Sequence, residues 1–367
     1  MKKYRAIGVM SGTSLDGLDL VDCEFTNCDD KWNFDVLNAS EVPYSKSMTL
    51  HLKGAVNLSG LELLKLDKEL GIYIGNAVRH FVDDNDIKAD FIASHGHTIF
   101  HSPSGGYTLQ IGCGYNISKQ TELPVIYDFR SADVALGGQG APLVPIGDRL
   151  LFSEYDACVN IGGISNISFL EGDKTLAFDI CHSNMVLNYL CREYFGCEYD
   201  RDGELGRGGT LMPALNDKLN TFPYYTKSHP KTLGFEQFEE FILPTISNCD
   251  IALQDVLCTY THHAAMRMAR DINEIFCGSR DKKRVLFTGG GAKNKFLMEL
   301  VDAYLSDNID VVIPDKLIID FKEAIIFAFL GVLKREKQAN CLSSVTGALF
   351  DNIGGLEVNL FFKLDRK

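Results

Sequence analysis

The sequence predicts an α/β protein built from two similar halves. Apolar segments with strand character alternate with longer helical patterns along the chain, which is typical of α/β sheets. A chain of 367 residues also exceeds the size at which one hydrophobic core stops growing. Two turns rich in Gly, Ser, Thr and Asn, at 12–17 and 160–166, each lie near the start of a half of the chain that contains both strands and helices. We therefore expect a duplicated architecture, with domains at residues 1–130 and 131–367 and with glycines 137–140 and Pro142 marking the boundary region.

The first elements are a strand, a polar turn and a second strand. Arg5–Met10 is the first apolar segment, Ser11–Gly17 is the turn, and Leu18–Phe25 is the second apolar segment. A nucleotide-binding P-loop needs a helix after the turn and a Gly-Lys-[Ser/Thr] ending, and this sequence has neither. The hairpin would therefore bind phosphate in a different way from a P-loop.

The later elements repeat this layout. The strand Ala157–Ile161 leads through two glycines to Ile167–Leu170, and a turn then precedes the strand Thr175–Phe178. Val285–Thr288 is a further buried strand that runs into three glycines. Apolar residues with helical spacing predict helices at four places: Ser59–Asp84, Asn184–Tyr194, Ile251–Phe276 and Phe321–Lys334.

The composition excludes several classes of function. A net charge of −13 and a pI near 5.2 repel nucleic acid and anionic membranes, so we expect neither as a partner. Ser11, Thr13 and Asp16 interrupt the apolar stretch after the basic start, so the N-terminus is not typical of a signal peptide. Eleven cysteines without C-x-x-C pairs indicate reduced thiols and a cytoplasmic location.

The turn from Gly12 to Gly17 could carry phosphate chemistry. Small residues let backbone N–H groups and hydroxyls approach phosphate oxygens closely. Asp16 and Asp19 supply carboxylates that could hold Mg²⁺, directly or through water. A plain hairpin turn uses the same residue types, so this turn alone supports both interpretations about equally.

Two more glycine motifs lie in the second half. Asn160–Asn166 suits a second phosphate-facing hairpin, although a plain turn is the favoured interpretation of this motif alone. Three glycines, 289–291, end a strand and precede Asn294. Because successive glycines cost backbone entropy, they favour a place where an adenine or ribose comes close over a simple strand-to-helix turn.

Asp179 is the candidate catalytic base. It ends a series of strands, and a carboxylate at the C-terminal end of such a strand points into the crevice where ligands bind. Phosphoryl transfer needs positioned groups and one base. A cap on the helix that begins at Asn184 is an equally supported alternative.

Three histidines and one arginine are further candidates. His95, His97 and His101 follow a strand, and their spacing can bind metal, but substrate contacts or satisfied core hydrogen bonds are favoured without a third ligand. Arg130 can pair with an anionic group on a substrate, or with Asp133 as a structural ion pair.

Together these segments resemble the anhydro-N-acetylmuramic acid kinase family. Motifs of that family occur in the family's order over nearly the whole chain: Met10–Gly17 with Asp19, Ser94–Thr98 with His101 and Pro103, Gln110–Gly112, Asp128–Arg130, Gly137–Leu143, Val159–Asn166, Phe178 with Asp179, Tyr199 with Asp200, Asp202 with Gly203, Gly289–Asn294, Glu323 with Ala324, Phe327 with Ala328, and Ser344–Ala348. The ordered set is far more specific than any single motif.

The resemblance implies two RNase H-like halves of the actin and hexokinase type, flanking a nucleotide-binding cleft. It implies that ATP, Mg²⁺ and water convert 1,6-anhydro-N-acetylmuramic acid to N-acetylmuramic acid 6-phosphate and ADP, a step of cell-wall recycling. By analogy, Asp179 activates the water that attacks the anomeric carbon, and the freed O6 attacks the γ-phosphate.

The resemblance also implies which residues contact each ligand. Nucleotide and phosphate contacts are expected from one set: Gly12, Thr13, Ser14, Leu15, Asp16, Gly17, Asp19, Asn160, Gly162, Gly163, Gly289, Gly290, Gly291 and Asn294. Asp16 and Asp19 of this set are also the expected Mg²⁺ ligands. The small-molecule sugar is expected to contact a second set: His97, Arg130, Asn184 and Glu323. The oligomeric state stays open, a homodimer included.

The chain departs from the family pattern in segments expected to face the ligand. Ile180–Ser183 replaces a Thr-Gly-Pro-Gly run, His97 replaces Gln, Cys113 replaces Asp, and Phe235 replaces Arg. Two alternatives follow: a kinase of the same fold for another amino sugar or hexose, and a non-catalytic protein that senses ATP or muropeptides. The three kept aspartates favour an active enzyme: Asp16, Asp19 and Asp179.

Overall fold

The computed structural model describes residues 2–12, 15–29, 31–229, 231–247 and 250–361. The chain divides into two compact units, one formed by Met1–Leu151 with Phe321–Lys367 and the other by Phe152–Asp320. The C-terminal segment belongs to the first unit because its last strand pairs with that unit's sheet. The sequence-based division differs, since it assigns residues 131–151 and 321–367 to the second domain, and it stays a prediction.

The first unit is built on a six-stranded sheet and a separate hairpin. Its strands are β1 (Lys2–Ser11), β2 (Gly17–Cys28), β3 (Lys31–Pro43), β4 (Phe91–Ser94), β5 (His97–Ser102), β6 (Tyr107–Ile111), β7 (Val125–Tyr127) and β13 (Leu356–Val358). The sheet has the order β13-β7-β4-β1-β2-β3, and β5 pairs with β6 separately. β1 is antiparallel to β2 and parallel to β4, so the chain leaves the central strand through a tight hairpin.

A long amphipathic helix covers this sheet. α2 (Gly60–Asp84) begins with a capping box, in which the side chains of Ser59 and Glu62 each accept from the other residue's backbone N–H. The residues that α2 buries against β1 and β2 lie three or four positions apart: Leu66, Leu70, Ile74, Val78 and Phe81. The other helices of the unit are α1 (Lys46–Gly54), α3 (Gly114–Thr121), α4 (Ser131–Ala135), α5 (Val144–Leu151) and α14 (Ser343–Thr346).

The second unit is built on a five-stranded sheet. Its strands are β8 (Ala157–Ile161), β9 (Ile164–Glu171), β10 (Lys174–His182), β11 (Lys283–Thr288) and β12 (Ile309–Val312), in the order β10-β9-β8-β11-β12. β8 is antiparallel to β9 and parallel to β11. The apolar sequence of β8 and β11 follows from their central positions, where both faces of a sheet are covered.

Helices surround this second sheet. α11 (Leu253–Ile275) packs Ala264, Ala265 and Met268 into one buried cluster with residues of β8 to β11. The others are α6 (Asn184–Leu190), α7 (Glu204–Arg207), α8 (Pro213–Asn220), α9 (Phe235–Gln237), α10 (Leu243–Ser247) and α12 (Lys295–Tyr304). α13 (Lys316–Arg335) contains the boundary between the units. The helix predicted to end at Tyr194 instead changes to a π-helical segment, Cys191–Phe195, after α6.

The two sheets share one topology. In each, the first three strands of the unit form an antiparallel meander, and two later strands add in parallel beside the first strand. This common order confirms the expected α/β architecture of two RNase H-like halves. In both units the hairpin after the first strand is the predicted phosphate turn. Among the described residues, no helix has the length and apolar character needed to span a lipid bilayer.

Candidate active site

The first predicted phosphate turn joins β1 to β2 in the first unit. Gly12 follows β1 directly, and Gly17 begins β2. The N–H of Leu15 donates to the carbonyl of Gly12 at 3.4 Å, and Leu15 has a positive φ of 61°. Thr13 and Ser14, which are also expected to contact phosphate, lie outside the described residues.

The two aspartates expected to hold magnesium lie at and after this turn. Asp16 is exposed, and Asp19 is half-buried in β2 opposite Met10. No group of three or more His, Cys, Asp or Glu side chains within the described ranges could hold a metal ion. Mg²⁺ usually takes one or two carboxylates and completes its shell with phosphate oxygens and water. The two aspartates fit such a site.

A buried hydrogen-bond network lies at the base of the same turn. Ser11 Oγ lies 2.6 Å from Tyr44 Oη and 3.0 Å from His97 Nδ1. Burial lowers the pKa of His97, so its ring is neutral at pH 7. His97 is thus tied to the residue that precedes Gly12, and its contact with a sugar stays a prediction. Sequence reasoning missed Ser11 and Tyr44, because no motif links residues so far apart in the chain.

Arg130 is held by two groups of the first unit. Its Nε donates to His95 Nε2 at 3.0 Å, and its Nη1 donates to the carbonyl of Gly140 at 2.7 Å. Burial lowers the pKa of Arg130, and the negative charge of Glu323 opposes that shift. Surrounding protein limits the hydration of Glu323 and raises its pKa, although part of its side chain is exposed, and Arg130 opposes the rise. These two predicted sugar contacts are therefore electrostatic neighbours.

The alternative ion pair between Arg130 and Asp133 does not occur among the described residues. Asp133 is fully buried and instead accepts from four donors: Cys341 Sγ at 3.0 Å, Thr346 Oγ1 at 2.8 Å, Asn352 Nδ2 at 2.8 Å and the N–H of Gly140 at 2.8 Å. Part of the glycine motif at 137–140 therefore serves to hold a buried carboxylate.

The second predicted phosphate turn joins β8 to β9 and is bound to the start of α6. The carbonyl of Gly162 accepts from the N–H of Asn184 at 3.1 Å, and the carbonyl of Gly163 accepts from the N–H of Ser183 at 2.8 Å. Asn184 Nδ2 also donates to the carbonyl of Ile161 at 3.1 Å. Asn184 thus supports the hairpin, and its expected contact with a sugar stays a prediction.

At three glycine positions near this turn, the fold itself would accept a side chain. A Cβ at Gly162, Gly163 or Gly290 would find its nearest protein atom at 3.4, 3.8 or 3.7 Å, which is ordinary contact. None of the three has a positive φ. Gly163 and Gly290 are also exposed. Their missing side chains leave the main chain open to close approach by a ligand.

The other two glycines of the run pack on the second hairpin. A Cβ at Gly289 would lie 2.5 Å from Asn160 Oδ1, and one at Gly291 would lie 2.2 Å from Ile161 Cγ2. Gly289 also has a φ of 80°. This close approach places Gly290 next to the turn that contains Gly162 and Gly163.

Asn294, expected to contact the nucleotide, caps a helix. Its Oδ1 accepts from the N–H of Leu297 at 3.0 Å at the start of α12. Its place at a helix start agrees with the sequence, but the cap uses its acceptor oxygen. A nucleotide contact of Asn294 stays a prediction.

Asp179 lies inside β10, not at the strand's end as the sequence predicted. The strand continues to His182, and a β-bulge follows Asp179 because Ile180 has no partner in β9. The bulge reorients the strand at this residue. Asp179 does not cap α6, whose N-cap residue Ser183 makes no side-chain capping bond.

Two hydrogen bonds hold the Asp179 carboxylate through one oxygen. Thr232 Oγ1 donates to Oδ2 at 2.9 Å, and the N–H of Leu233 donates to Oδ2 at 2.8 Å. Burial raises the pKa of Asp179, and these two bonds partly oppose the rise. Among the described residues no donor contacts Oδ1, so this oxygen can accept a proton. Sequence reasoning missed Thr232 and Leu233 as supports, although it singled out their segment as a departure.

Strand pairing brings Asp179 into line with the second hairpin. Asp179 pairs with Asn166 of β9, and Asn166 pairs with Asn160 of β8. Directly paired residues share one face of a sheet, and two strand spacings amount to about 10 Å. The second unit therefore brings together Asp179, the hairpin glycines and the glycine run at 289–291.

The altered segment after Asp179 is buried, contrary to the expectation that it faces a ligand. Cys181 and His182 have no exposed surface. Ser165 Oγ donates to the carbonyl of Cys181 at 3.2 Å, and His182 Nε2 lies 3.0 Å from the carbonyl of Gly234. These side chains serve packing within the second unit.

Comparison with known proteins identifies the family. A family model described as anhydro-N-acetylmuramic acid kinase matches residues 4–357. The anhydro-N-acetylmuramic acid kinases of Sulfurovum sp. and Sulfurimonas denitrificans are 35% and 32% identical, over 98% and 95% of this chain and 100% and 98% of the relatives. Among solved structures, component A of (R)-2-hydroxyglutaryl-CoA dehydratase from Acidaminococcus fermentans aligns with a TM-score of 0.43 and 12% identity, over 89% of this chain and 96% of that one. On the family match and the full-length relatives, the chain belongs to the anhydro-N-acetylmuramic acid kinase family.

Proposed function

We propose that this protein is an ATP-dependent kinase that opens 1,6-anhydro-N-acetylmuramic acid with water and phosphorylates O6. A water oxygen bonds to C1, one water proton passes to Asp179, and the bond from C1 to the bridging O6 breaks. O6 then bonds to the γ-phosphorus, and the β,γ-bridging oxygen leaves with ADP. The products are N-acetylmuramic acid 6-phosphate and ADP. The relatives' shared name supports the substrate.

The observation that carries the proposal is the environment of Asp179. A general base works best when its pKa lies closer to the working pH than that of a free carboxylate. Burial moves the pKa of Asp179 in that direction. Hydrogen bonds from Thr232 and Leu233 fix Oδ2, which leaves Oδ1 to accept the proton from water.

The open glycine positions support nucleotide binding. Gly162, Gly163 and Gly290 offer main-chain N–H groups without side chains that would block a phosphate or a ribose. In the first unit, Gly12, Leu15 and the turn to Gly17 would serve the same purpose. The ATP that these residues would hold supplies the phosphoryl group.

Magnesium fits the first turn. Asp16 and Asp19 would bind the ion, Asp16 from its exposed position and Asp19 directly or through water. A bound Mg²⁺ would neutralise charge on the phosphates during transfer.

We propose that Arg130, Glu323 and His97 of the first unit contact the sugar, and that Asn184 of the second unit contacts it as well. Arg130 keeps a fixed orientation through His95 and Gly140, as recognition of a carboxylate requires. We propose that the protein acts in the cytoplasm, since its proposed reaction needs ATP and the cysteines of the described residues are free thiols.

Mass spectrometry in ¹⁸O-water tests the proposal. We expect ADP release that depends on the anhydro-sugar, and one heavy oxygen at C1 of the phosphorylated product. Unlabelled product incubated in the same water measures exchange at C1. A product without label would contradict coupled hydrolysis, and turnover of an ordinary hexosamine in place of the anhydro-sugar would contradict the substrate. Nucleotide binding without any phosphorylated sugar would favour the sensor alternative.

A further inference from the structure

The second unit contains a cavity of about 950 Å³ that the proposed reaction does not use. It is lined by α11, by residues 225–229 and Lys231, and by residues near the starts of β8 and β11. Asp156, just before β8, and Lys283, the first residue of β11, are among its lining residues. The glycines proposed to contact phosphate follow the other ends of these two strands. A strand of five residues is about 15 Å long, so the glycines lie about that far from the cavity. The cavity is thus separate from the proposed nucleotide contacts.

A buried arginine forms part of the cavity wall. Arg267 is 3% exposed, and its Nη2 donates to Asp271 Oδ1 at 3.0 Å. Its guanidinium lies 4.1 Å from the centre of the Tyr225 ring. The Nε of Arg267 is buried and has no hydrogen-bond partner among the described residues. A guanidinium has five N–H donors, so this group is far from satisfied.

A second cation lies in the same wall. Lys231 Nζ is 5.2 Å from the centre of the Phe178 ring and 5.1 Å from that of Tyr224. Across the described ranges its ammonium group makes no ion pair. Burial lowers the pKa of Lys231, and the charge of Asp271 only partly opposes this shift.

One buried carboxylate serves both cations. Asp271 is buried, which raises its pKa, while the positive charges of Arg267 and Lys231 lower it. The remaining acids of the wall are exposed or already paired: Glu154, Glu171 and Glu274 are exposed, and Asp156 accepts from Lys283 at 3.0 Å. Two partly desolvated positive charges therefore share one buried negative charge, which favours an additional anion.

The cavity also offers a flat aromatic surface, the exposed ring of His229. The rings of Phe178 and His229 stack at 5.4 Å with an angle of 12°. Aromatic faces of this kind pack against the C–H face of a ring-shaped ligand. The hydroxyl groups of Thr226, Ser228 and Ser279 also line the cavity. Those of Thr226 and Ser279 donate to main-chain carbonyls and can accept hydrogen bonds from ligand hydroxyls.

We propose that this cavity is a second ligand site, which binds an acidic sugar through Arg267 and Lys231. The ligand's carboxylate or phosphate supplies the missing acceptors, and its ring lies against the aromatic wall. The size is ample, since small-molecule sites usually have about 300–1,000 Å³. The location of the site does not depend on the proposed function, which guides only the choice of probe sugars.

Hydrogen exchange and calorimetry on the full-length protein test this inference. The probes are N-acetylmuramic acid, which carries a carboxylate, its 6-phosphate, which carries both anions, and neutral N-acetylglucosamine. We expect an acidic probe to slow exchange in residues 264–275 of α11, and N-acetylglucosamine to leave them unchanged. The two acidic probes together show which anion the site prefers.

Two variants remove the cations separately. Lys231→Met leaves the Arg267–Asp271 pair intact, whereas Arg267→Met removes the buried guanidinium. Loss of a charged hydrogen bond predicts binding at α11 that is weaker by about tenfold or more in each. Lys88→Met, an exposed lysine of the first unit, is the matched control and should bind like the wild type.

Protection of α11 by the neutral sugar as strongly as by the acidic ones would overturn the inference. Undiminished protection in folded Lys231→Met would overturn it as well, as would no protection by any probe. Kinase activity is measured separately by ADP release. Kinase activity without sugar binding at the cavity would contradict this inference alone. Binding at the cavity without kinase activity would contradict the proposed function alone.

Discussion

At the scale of single residues, Asp179 combines two features that a structural carboxylate rarely needs. It is half-buried, yet hydrogen bonds from the described residues hold only its Oδ2. Burial disfavours the charged form, so keeping it ionised costs folding free energy. A residue that costs stability in this way is expected where function requires it.

Replacing Asp179 by Asn tests both the role of this residue in catalysis and its effect on stability. Activity should fall by about 10²–10⁴-fold, because the amide cannot take a proton from water. The free energy of unfolding at pH 7 should stay within about 0.5 kcal/mol of the wild-type value or rise above it, because the partly buried charge is gone. The sign follows from linkage: a carboxyl whose pKa is raised on folding loses stability as pH rises from its ordinary 3.8 through the folded value. Initial rates and chemical unfolding measure the two effects, and full activity of the folded variant would refute the role of Asp179 as base.

Replacing Thr232 by Val tests the tuning of the base. The hydroxyl of Thr232 lowers the pKa of Asp179, so its loss should move the acidic limb of the kcat/KM profile to higher pH. In the wild type this limb should already lie above pH 3.8, the ordinary value of an aspartate. Thr221→Val, an exposed threonine whose hydroxyl donates to the carbonyl of Lys218, is the control. An unchanged or more acidic limb in Thr232→Val would argue against this tuning.

At the scale of elements, the second hairpin and the glycine run form one structural feature. β8 and β11 are parallel neighbours, with Asn160 opposite Thr288, so their ends lie side by side. Gly289 and Gly291 are glycines so that the run can pack on the hairpin, whereas Gly162, Gly163 and Gly290 leave open main chain. The same residue type therefore serves packing at some positions and ligand access at others.

A pair of glycine-to-alanine variants separates these uses. Gly163→Ala should fold normally, since Ala at a compatible site changes stability by less than about 1 kcal/mol. A methyl group facing the phosphates should nevertheless raise the KM for ATP by about tenfold or more. Gly54→Ala, where a Cβ would meet nothing within 4 Å, is the control and should keep the wild-type KM. Equal KM values in both variants would remove Gly163 from the proposed nucleotide contacts.

At the scale of the whole molecule, the first unit is assembled from two distant parts of the chain. Asp133 accepts hydrogen bonds from Cys341, Thr346 and Asn352, and β13 pairs with β7. A buried carboxylate with four donors thus ties the C-terminal segment to the segment around residue 140.

Replacing Asp133 by Asn should destabilise the first unit by about 2–4 kcal/mol, because an amide cannot accept from donors on both sides. Trp32, the only tryptophan of the chain, is buried in this unit, so its fluorescence during urea unfolding reports on the unit directly. The exposed pair of Arg79 and Asp83 gives the control, and Asp83→Asn should cost less than about 0.5 kcal/mol. A similar loss in both variants would contradict the special role of Asp133.

Local patterns in the sequence were enough to predict many elements. The strand and turn residues of both hairpins and the helices α2 and α11 follow from the spacing of apolar residues within about 25 positions. The family resemblance added the role of Asp179 in activating water and the order of the motifs. The bulge after Asp179 escaped prediction, because nothing in β10 alone reveals that Ile180 lacks a partner.

By itself, the sequence determined the α/β class, the duplicated hairpins and the family, because these depend on residue types in local order. Only the tertiary structure decided which groups hold Asp179, that Cys181 and His182 are buried, and that Asp133 binds the C-terminal segment. Those contacts join residues that are tens to hundreds of positions apart, and burial and hydrogen bonding across such distances exist only after the chain has folded.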